Sequence, residues 1–144
     1  MTDNRLRREP NVIDYVVKTF QKRYKEAADC EYGMASHITT SLLKNNVRLI
    51  EKSANHSYKK LDLTVFLVFP YYPLNLKYLL NERWSKHFAL MRHLFAGIVR
   101  GVHELHTREI AHCDLKLSNV VLDNDLRPLL IDYGNASACT GKPQ

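Results

Sequence analysis

The spacing of apolar residues divides the first half of the chain into strands and one helix. Loose alternation of β-branched and aromatic residues predicts a strand over 13–20, and apolar residues at spacings of four predict a helix over 21–43. The apolar positions of that helix are Met34, Ile38 and Leu42. A short strand is predicted at 47–52, and a buried strand at 63–69 that ends at Pro70. The polar residues NHSYKK between them predict a turn.

One long amphipathic pattern dominates the second half. A short helix is predicted over 74–84, and apolar residues at spacings of three and four predict a longer helix from Lys86 to Thr107. Its apolar stripe consists of Phe88, Met91, Phe95, Ile98, Val102 and Leu105. Gly97 and Gly101 weaken this helix, each by up to ~1 kcal/mol, but they share a face that another element can approach closely. Short strands are predicted around IAHCD, VVLD and PLLID, with NDLR as a turn between the last two.

The composition limits the class of protein. The chain has 144 residues, of which 45% are hydrophobic and 25% charged, as expected for one globular domain. The order of the predicted strands and helices makes its class α+β. No apolar run reaches the ~18–20 residues of a membrane helix, so we expect no membrane span. An odd number of cysteines at unrelated spacings predicts a reduced, intracellular chain, in the cytoplasm or the nucleus. These cysteines are Cys30, Cys113 and Cys139.

The formal net charge of +6 raises the question of nucleic-acid binding. Part of the excess lies early in the chain, at Arg5, Arg7, Arg8, Lys18, Lys22, Arg23 and Lys25. Such a patch could bind nucleic acid, but a solvated basic face is the simpler interpretation. Because no zinc-finger or RNA-binding signature accompanies the patch, we do not expect a nucleic-acid partner.

Two motifs indicate the chemistry. Residues 112–119, with the sequence HCDLKLSN, match the pattern H-x-D-L-K-x-x-N of a kinase catalytic loop. The tripeptide that ends at Gly134 matches D-F-G, with Tyr133 in place of Phe. Each motif supplies half of one reaction centre, and the residues between them suit a short hairpin. The chain therefore resembles the eukaryotic-type protein kinase family, of the serine/threonine type, over about residues 12–140.

The resemblance implies a protein-kinase-like α+β fold that is incomplete. Residues 1–69 are expected to form part of the small lobe, and residues 70–144 the hinge and the start of the large lobe with the catalytic loop. The implied activity is ATP-dependent transfer of a phosphoryl group to Ser or Thr of a protein substrate, with Mg²⁺ as cofactor.

The resemblance also assigns roles within the two motifs. Asp114 is expected to orient the substrate hydroxyl and accept its proton, and Lys116 to neutralise the transferring phosphate. Because Mg²⁺ prefers oxygen ligands, Asn119 and Asp132 are predicted to hold the metal. Cys113 stands where the family usually has an arginine that pairs with an activation-loop phosphate, so we expect a protein without that switch.

Earlier residues resemble the ATP-binding segments of the family. Lys18 ends the sequence VVK, which resembles the strand lysine that holds the α- and β-phosphates, and Glu31 is its predicted partner on the following helix. The segment LVFPYYP resembles the hinge that holds adenine, where Pro70 offers a carbonyl and Tyr72 both an N–H and a carbonyl. The simpler alternatives are an exposed strand lysine and a buried strand that leaves by a proline turn.

Two further alternatives stay open. A zinc site at His103, His106, His112 and Cys113 is less favoured, because the kinase motif already accounts for His112. The second alternative rests on missing parts: no glycine precedes Gly33, and only ten residues follow Gly134. The chain is then a gene fragment, a split kinase, or an inactive truncated kinase that binds and modulates another kinase. In each case part of the long helix lacks the partner that a complete large lobe provides.

Overall fold

A computed structural model describes residues 14–41, 43–58, 63–81 and 87–138. Several residues singled out above lie outside these ranges: Arg5, Arg7, Arg8, Leu42, Lys86 and Cys139. Within them, no helix combines the length and apolar character that crossing a membrane requires.

Three antiparallel strands form the first sheet. They are β1 (Tyr15–Gln21), β2 (Glu51–Tyr58) and β3 (Leu63–Pro70), in the order β1-β3-β2. The strands predicted around 13–20 and 63–69 are confirmed. The second strand was placed too early. The turn predicted over NHSYKK is wrong at 55–58, where the strand continues to Tyr58, and its last two residues lie outside the described ranges. Strand β2 is stabilised by backbone hydrogen bonds to the central strand β3, and its polar sequence does not predict this pairing.

Helix α1 (Lys25–Thr40) follows β1 after a 3₁₀ turn (Lys22–Tyr24). Its buried residues share one face at spacings of three and four. They are Ala28, Glu31, Ala35 and Ile38. The helix is shorter than the predicted 21–43. It ends because the segment beyond it is extended and pairs with Leu130. The N–H of Leu130 donates to the Asn45 carbonyl, and its carbonyl accepts from the N–H of Val47, at 2.9 Å each.

The remaining elements are short, apart from one long helix. In chain order they are β4 (Leu74–Asn75), α2 (Leu76–Asn81), α3 (Phe88–His106), β5 (Ile110–Ala111), a 3₁₀ turn (Leu117–Asn119), β6 (Val120–Leu122), β7 (Pro128–Leu130) and β8 (Ser137–Ala138). Strands β4, β6 and β7 form an antiparallel sheet in the order β4-β6-β7, and β5 pairs with β8. The predicted long helix and the short strands after it are confirmed. The helix predicted from residue 74 begins two residues later, because Leu74 and Asn75 pair with β6.

Helix α3 packs through its glycines. Its buried residues are Leu94, Gly97, Gly101 and Leu105. A Cβ atom at Gly97 would lie 2.6 Å from Pro128 Cδ, and one at Gly101 would lie 3.0 Å from the carbonyl oxygen of Asn45. The close approach expected at these glycines is confirmed. The elements that approach are β7 and the segment after α1.

The apolar stripe predicted for α3 is only partly covered. Leu105 is buried and Ile98 half-buried, whereas Phe88 and Phe95 are 80% and 69% exposed. The buried face is rotated from the predicted stripe by roughly a quarter turn, because it centres on the glycines rather than on the largest side chains. Part of the apolar surface of this helix is therefore exposed among the described residues, and the expectation that it lacks a partner stays a prediction.

One apolar cluster joins the elements around the sheet of β4, β6 and β7. It includes Ile38 of α1, Leu76 of α2, Leu94 and Leu105 of α3, Leu122 of β6 and Tyr133. This cluster fixes the loop between β5 and β6 and the segment after β7 relative to α1.

Candidate active site

The loop of residues 112–119 lies between β5 and β6 and is anchored by a buried histidine. His112 is 2% exposed, and its Nε2 lies 3.0 Å from the carbonyl oxygen of Ile131. Its Nδ1 lies 3.4 Å from the N–H of Asp114. The ring also packs against Tyr133, with 5.6 Å between ring centroids. His112 therefore ties this loop to the segment that carries Asp132.

Asp114, Lys116 and Asn119 form a cluster within the loop. Nζ of Lys116 lies 2.7 Å from Oδ2 of Asp114. Nδ2 of Asn119 donates to the same carboxylate oxygen at 3.0 Å and to the backbone carbonyl of Asp114 at 2.9 Å. The hydrogen bond from Lys116 lowers the pKa of Asp114, and its charge and the Asn119 amide add to the effect. The Asp114 carboxylate is thus ionised at neutral pH and held in one orientation.

Lys18 joins two distant carboxylates. Its Nζ lies 2.7 Å from Oε2 of Glu31 on α1 and 2.8 Å from Oδ1 of Asp132, which follows β7. The contact predicted between Lys18 and Glu31 is present. The contact with Asp132 was not anticipated, and it brings together the residues assigned to phosphate binding and to metal binding.

Burial and pairing act in opposite directions on the pKa values of Lys18 and Glu31. Burial alone would lower the pKa of Lys18, but the hydrogen bonds and charges of Asp132 and Glu31 outweigh it and raise that pKa. Glu31 is 3% exposed, and its burial raises its pKa although Lys18 opposes the change. Lys18 therefore stays protonated, and Glu31 depends on Lys18 to remain ionised.

Cys113, next to Asp114, and Asp132 have backbone angles in the left-handed region. Cys113 has a φ of 60° and Asp132 a φ of 67°. Non-glycine residues rarely occupy this region, and at functional sites such strain often aims a side chain. The thiol of exposed Cys113 lies 3.4 Å from the hydroxyl of Ser137. Cys113 thus adjoins the predicted site residue Asp114, and Asp132 is itself a predicted site residue.

A cavity of about 360 Å³, called here the front cavity, opens beside Lys18. It is lined by Val16, Val17, Lys18, Glu31, Phe69 and Asp132, among others. Its size is within the ~300–1,000 Å³ typical of small-molecule sites. Apolar walls with one cation and two carboxylates at one end suit a ligand with a flat apolar part and a charged tail.

The residues assigned to the hinge are not at this cavity. Pro70 and Tyr72 line a second cavity of about 380 Å³, called here the rear cavity, together with Lys44, Arg48, Asp123 and Arg127. Phe69, directly before Pro70, does line the front cavity. Adenine binding through the backbone of Pro70 and Tyr72 therefore stays a prediction.

Pro70 itself fits the end of β3 without breaking the ladder. The N–H of Tyr71 donates to the carbonyl of Asp14 at 2.8 Å, and Pro70 pairs with Tyr15. Hydrogen-bonded and non-hydrogen-bonded pairs alternate along an antiparallel ladder, so the Pro70–Tyr15 pair requires no N–H from the proline.

Comparison with known sequences settles the family. The sequence matches the protein kinase domain over residues 5–144. The chain belongs to the protein kinase domain family. A probable CTD kinase subunit alpha homolog of Encephalitozoon cuniculi is 33% identical over 76 residues, which cover 53% of this chain and 23% of that protein. The serine/threonine-protein kinase mos of Patiria pectinifera is 29% identical over 96 residues, 65% of this chain and 27% of that protein.

The fold is also that of a protein kinase. A chain in the crystal structure of the yeast RNA Pol II CTD kinase complex superposes with a TM-score of 0.70 at 22% identity, over 88% of this chain and 40% of that one. The predicted kinase-like α+β fold is therefore confirmed. The present chain of 144 residues covers about a quarter of the length of each of the two curated relatives named above.

The kinase motifs offer oxygen ligands suited to Mg²⁺. Since Nδ2 of Asn119 is directed to Asp114, its Oδ1 is the atom left to bind a cation. Asp132 uses Oδ1 for Lys18, which leaves Oδ2. Mg²⁺ is commonly held by one or two carboxylates together with substrate phosphates, and this donor set fits that mode.

The alternative zinc site is not assembled. Within the described residues, no three His, Cys, Asp or Glu side chains converge as a metal site. His103 and His106 are exposed on α3, whereas His112 is buried beneath the catalytic loop.

Sequence reasoning missed the residues that connect α3 to this kinase site. The Glu104 carboxylate accepts hydrogen bonds from the N–H groups of Lys44 and Asn45, at 3.2 and 2.9 Å, and from Nδ2 of Asn46 at 3.0 Å. Oδ1 of Asn46 lies 3.4 Å from the hydroxyl of Tyr133, which donates to the Leu130 carbonyl at 2.7 Å. No local pattern signals these contacts. Only the tyrosine in place of phenylalanine indicated that the motif carries a polar group.

Proposed function

We propose that this chain supplies the reaction centre of a serine/threonine protein kinase, which transfers the γ-phosphoryl group of ATP to a protein hydroxyl. The observation that carries the proposal is the ion pair between Lys18 and Asp132, at 2.8 Å. It joins the predicted phosphate-binding lysine to the predicted metal-binding aspartate, although they lie 114 residues apart in the sequence. The family and its serine/threonine kinase relatives support the same activity.

The geometry supports a division of roles. Asp114 accepts a hydrogen bond from the substrate hydroxyl and aims it at the γ-phosphorus. It takes the hydroxyl proton as the new P–O bond forms and the bond from the γ-phosphorus to the bridging oxygen breaks, which releases ADP. Lys116 is hydrogen-bonded to the Asp114 carboxylate, and its positive charge stabilises negative charge on the transferring group. Since the pKa of Asp114 is lowered, it acts mainly by orienting the hydroxyl and as a proton acceptor late in the transfer.

Lys18 is the proposed ligand of the ATP phosphates, and Asn119 and Asp132 are the proposed metal ligands. Lys18 pairs with the α- and β-phosphates, and Glu31 keeps its ammonium group in place. Asn119 Oδ1 and Asp132 Oδ2 would hold Mg²⁺, which neutralises charge on the phosphates when bound. The apolar walls of the front cavity, including Val16 and Phe69, accommodate the adenine base, and the hinge backbone at Pro70 and Tyr72 is its proposed hydrogen-bonding partner.

Nucleotide binding tests this assignment directly. We expect a non-hydrolysable ATP analogue to bind the chain in calorimetry more tightly with Mg²⁺ than without it. The variant Asp132→Asn removes a predicted metal ligand and should abolish the Mg²⁺ dependence. Asp125→Asn, at an exposed position of the β6–β7 turn, is the matched control and should retain it. A folded chain that shows no Mg²⁺-dependent binding at millimolar nucleotide would contradict the proposal.

A second candidate function is favoured by the exposed side of α3. Phe88, Phe95 and Val99 are 80%, 69% and 49% exposed and lie on one face of the helix. Exposed apolar surface of this kind marks a contact with another protein. The chain would then bind and modulate another kinase, or pair with the rest of its own large lobe. Light scattering with size-exclusion chromatography tests it: a monodisperse monomer that binds no hydrophobic dye would argue against this candidate.

A further inference from the structure

The rear cavity is separate from the reaction centre and has a different character. Its walls come from three places: the segment after α1, the end of β3 and the β6–β7 hairpin. Leu43 and Leu129, both buried, form part of its surface, and Tyr72 contributes a half-buried ring. Its volume of about 380 Å³ is sufficient for a charged side chain with a neighbouring apolar one.

The charged groups of this cavity are mostly basic. Of the described residues that line it, three are cations, Lys44, Arg48 and Arg127, and one, Asp123, carries a carboxylate. Asp123 is already engaged, because its Oδ2 lies 2.8 Å from Nε of Arg127 and its Oδ1 accepts the N–H groups of Asp125 and Arg127 at 2.9 Å each. These hydrogen bonds outweigh burial and lower the pKa of Asp123, so its charge is committed to the turn.

Lys44 and Arg48 are the cations left for a ligand. Among the residues that the structure describes, no carboxylate lies within ion-pair distance of either side chain. Both are exposed at a concave surface, where two like charges reinforce each other's field. Arg127 also contacts Asp125 at 3.1 Å, so it supports the site less than the other two cations do.

We propose that the rear cavity binds a phosphorylated side chain of a peptide segment from a protein partner. A phosphate monoester carries about −1.5 to −2 charge at neutral pH, which matches two cations that have no ion-pair partner among the described residues. The guanidinium of Arg48 can bind two phosphate oxygens at once, and Lys44 a third. Leu43, Pro70 and Leu129 offer an apolar surface to the residue next to the phosphate.

A peptide fits this cavity better than a nucleic acid does. Single-stranded nucleic acids bind along extended basic grooves with several aromatic side chains on which bases stack. Tyr72 is the one aromatic side chain among the described residues that line the rear cavity. The inference rests on the proposed function for its choice of partner, since a protein kinase meets phosphorylated proteins. Its test measures binding only, so it can fail while phosphoryl transfer succeeds, and the reverse.

The test is fluorescence anisotropy with a labelled short peptide that has one central phosphoserine flanked by leucine and alanine. The full chain is titrated at about 0.15 M ionic strength, where charges more than ~8 Å apart are screened. We expect Arg48→Ala and Lys44→Ala each to weaken binding by roughly tenfold, as for a charge-assisted hydrogen bond. Arg48→Lys keeps the charge but loses the bidentate geometry and should fall between wild type and Arg48→Ala.

Matched controls separate this site from general basicity. Arg92→Ala on α3 and Lys77→Ala on α2 remove exposed cations away from the cavity and should change the affinity by less than about twofold. Each of the following results overturns the proposal: equal binding of the unphosphorylated peptide, equal losses in the control variants, or a loss in the folded double variant Lys18→Met/Glu31→Leu, which would place the phosphate in the front cavity. An RNA oligonucleotide that binds with the same dependence on Lys44 and Arg48 also overturns it.

Discussion

The two halves of the candidate active site are held together in different ways. Asp114 contacts Lys116 and Asn119 at sequence separations of two and five. Lys18 contacts Glu31 and Asp132 at separations of 13 and 114. The first half is a single loop tied down by short strands, whereas the second exists only when β1, α1 and the segment after β7 are packed together. The local half should therefore tolerate changes elsewhere that would separate the long-range half.

Burial sharpens this difference. The buried member of the long-range half is a charged carboxylate, Glu31, with 3% of its side chain exposed. The buried member of the local half is the neutral amide residue Asn119, at 4%, whereas its charged residues Asp114 and Lys116 are 26% and 53% exposed. A buried carboxylate that loses its cation costs more than an exposed one, because water cannot replace the partner. Changes in the local half should therefore alter chemistry, and changes in the long-range half should alter both chemistry and stability.

The largest effect is expected from Asp114→Asn. Orienting and proton-accepting groups contribute about 10²–10⁴-fold to rates, so phosphoryl transfer by the protein that carries this segment should fall by that factor. Nucleotide affinity should be unchanged, because Asp114 acts on the hydroxyl. Steady-state kinetics with calorimetry on the same samples separate the two quantities. Full turnover in this variant, with Asp125→Asn as the control, would show that Asp114 has been assigned the wrong role.

The long-range half is tested by Lys18→Met. This substitution leaves the buried Glu31 carboxylate without its cation and should lower the free energy of unfolding by about 1–3 kcal/mol in urea denaturation. The double variant Lys18→Met/Glu31→Leu removes the buried charge as well and should recover most of the loss. If the double variant is instead less stable than the single one, the loss of stability comes from packing. The Lys18–Glu31 ion pair then does not hold the long-range half together.

The packing that supports both halves is tested by two helix glycines with opposite expectations. Gly97→Ala places a methyl group against Pro128 and should destabilise the protein by about 1–3 kcal/mol, although alanine favours the helix. Gly33→Ala in α1 meets no atom within 4 Å and should stabilise it by about 0.5–1 kcal/mol. Thermal and urea unfolding of both variants check the signs. Equal effects at the two positions would show that β7 does not pack closely on α3.

The difference between the two halves also explains what the sequence could predict. The residues of the catalytic loop are contiguous in the sequence, so their types alone identified the local half. The D-Y-G tripeptide identified Asp132 of the long-range half in the same way. Glu31 was predicted because its spacing to Met34 and Ile38 places it on the same helix face, and the structure buries Glu31 and Ile38. The Lys18–Asp132 contact has no local signal, since it depends on how distant elements pack.

Two errors in the predicted fold have the same origin. The strand over Glu51–Tyr58 is polar, and its stability comes from pairing with β3, which no pattern within the segment shows. The phase of α3 was drawn from its large apolar residues, but Pro128 and Leu130 pack on glycines, where the backbone can approach most closely. Hydrophobic periodicity therefore predicted the helix but not its buried face.

The smallest effect is expected within the local half, in the ionisation of Asp114. Its pKa is lowered first by the hydrogen bond from Lys116, so the carboxylate persists as the pH falls below the ordinary range for aspartate. In Lys116→Ala this pKa should rise towards its ordinary value, but not fully, because Asn119 still donates to the same oxygen. Any activity or binding that needs the ionised carboxylate is then lost at a higher pH than in the wild type. Carboxyl ¹³C NMR titration checks the direction, with the exposed Lys77→Ala as the control. An unchanged or lower pKa in Lys116→Ala would show that the ion pair does not hold Asp114 and that Asn119 alone orients it.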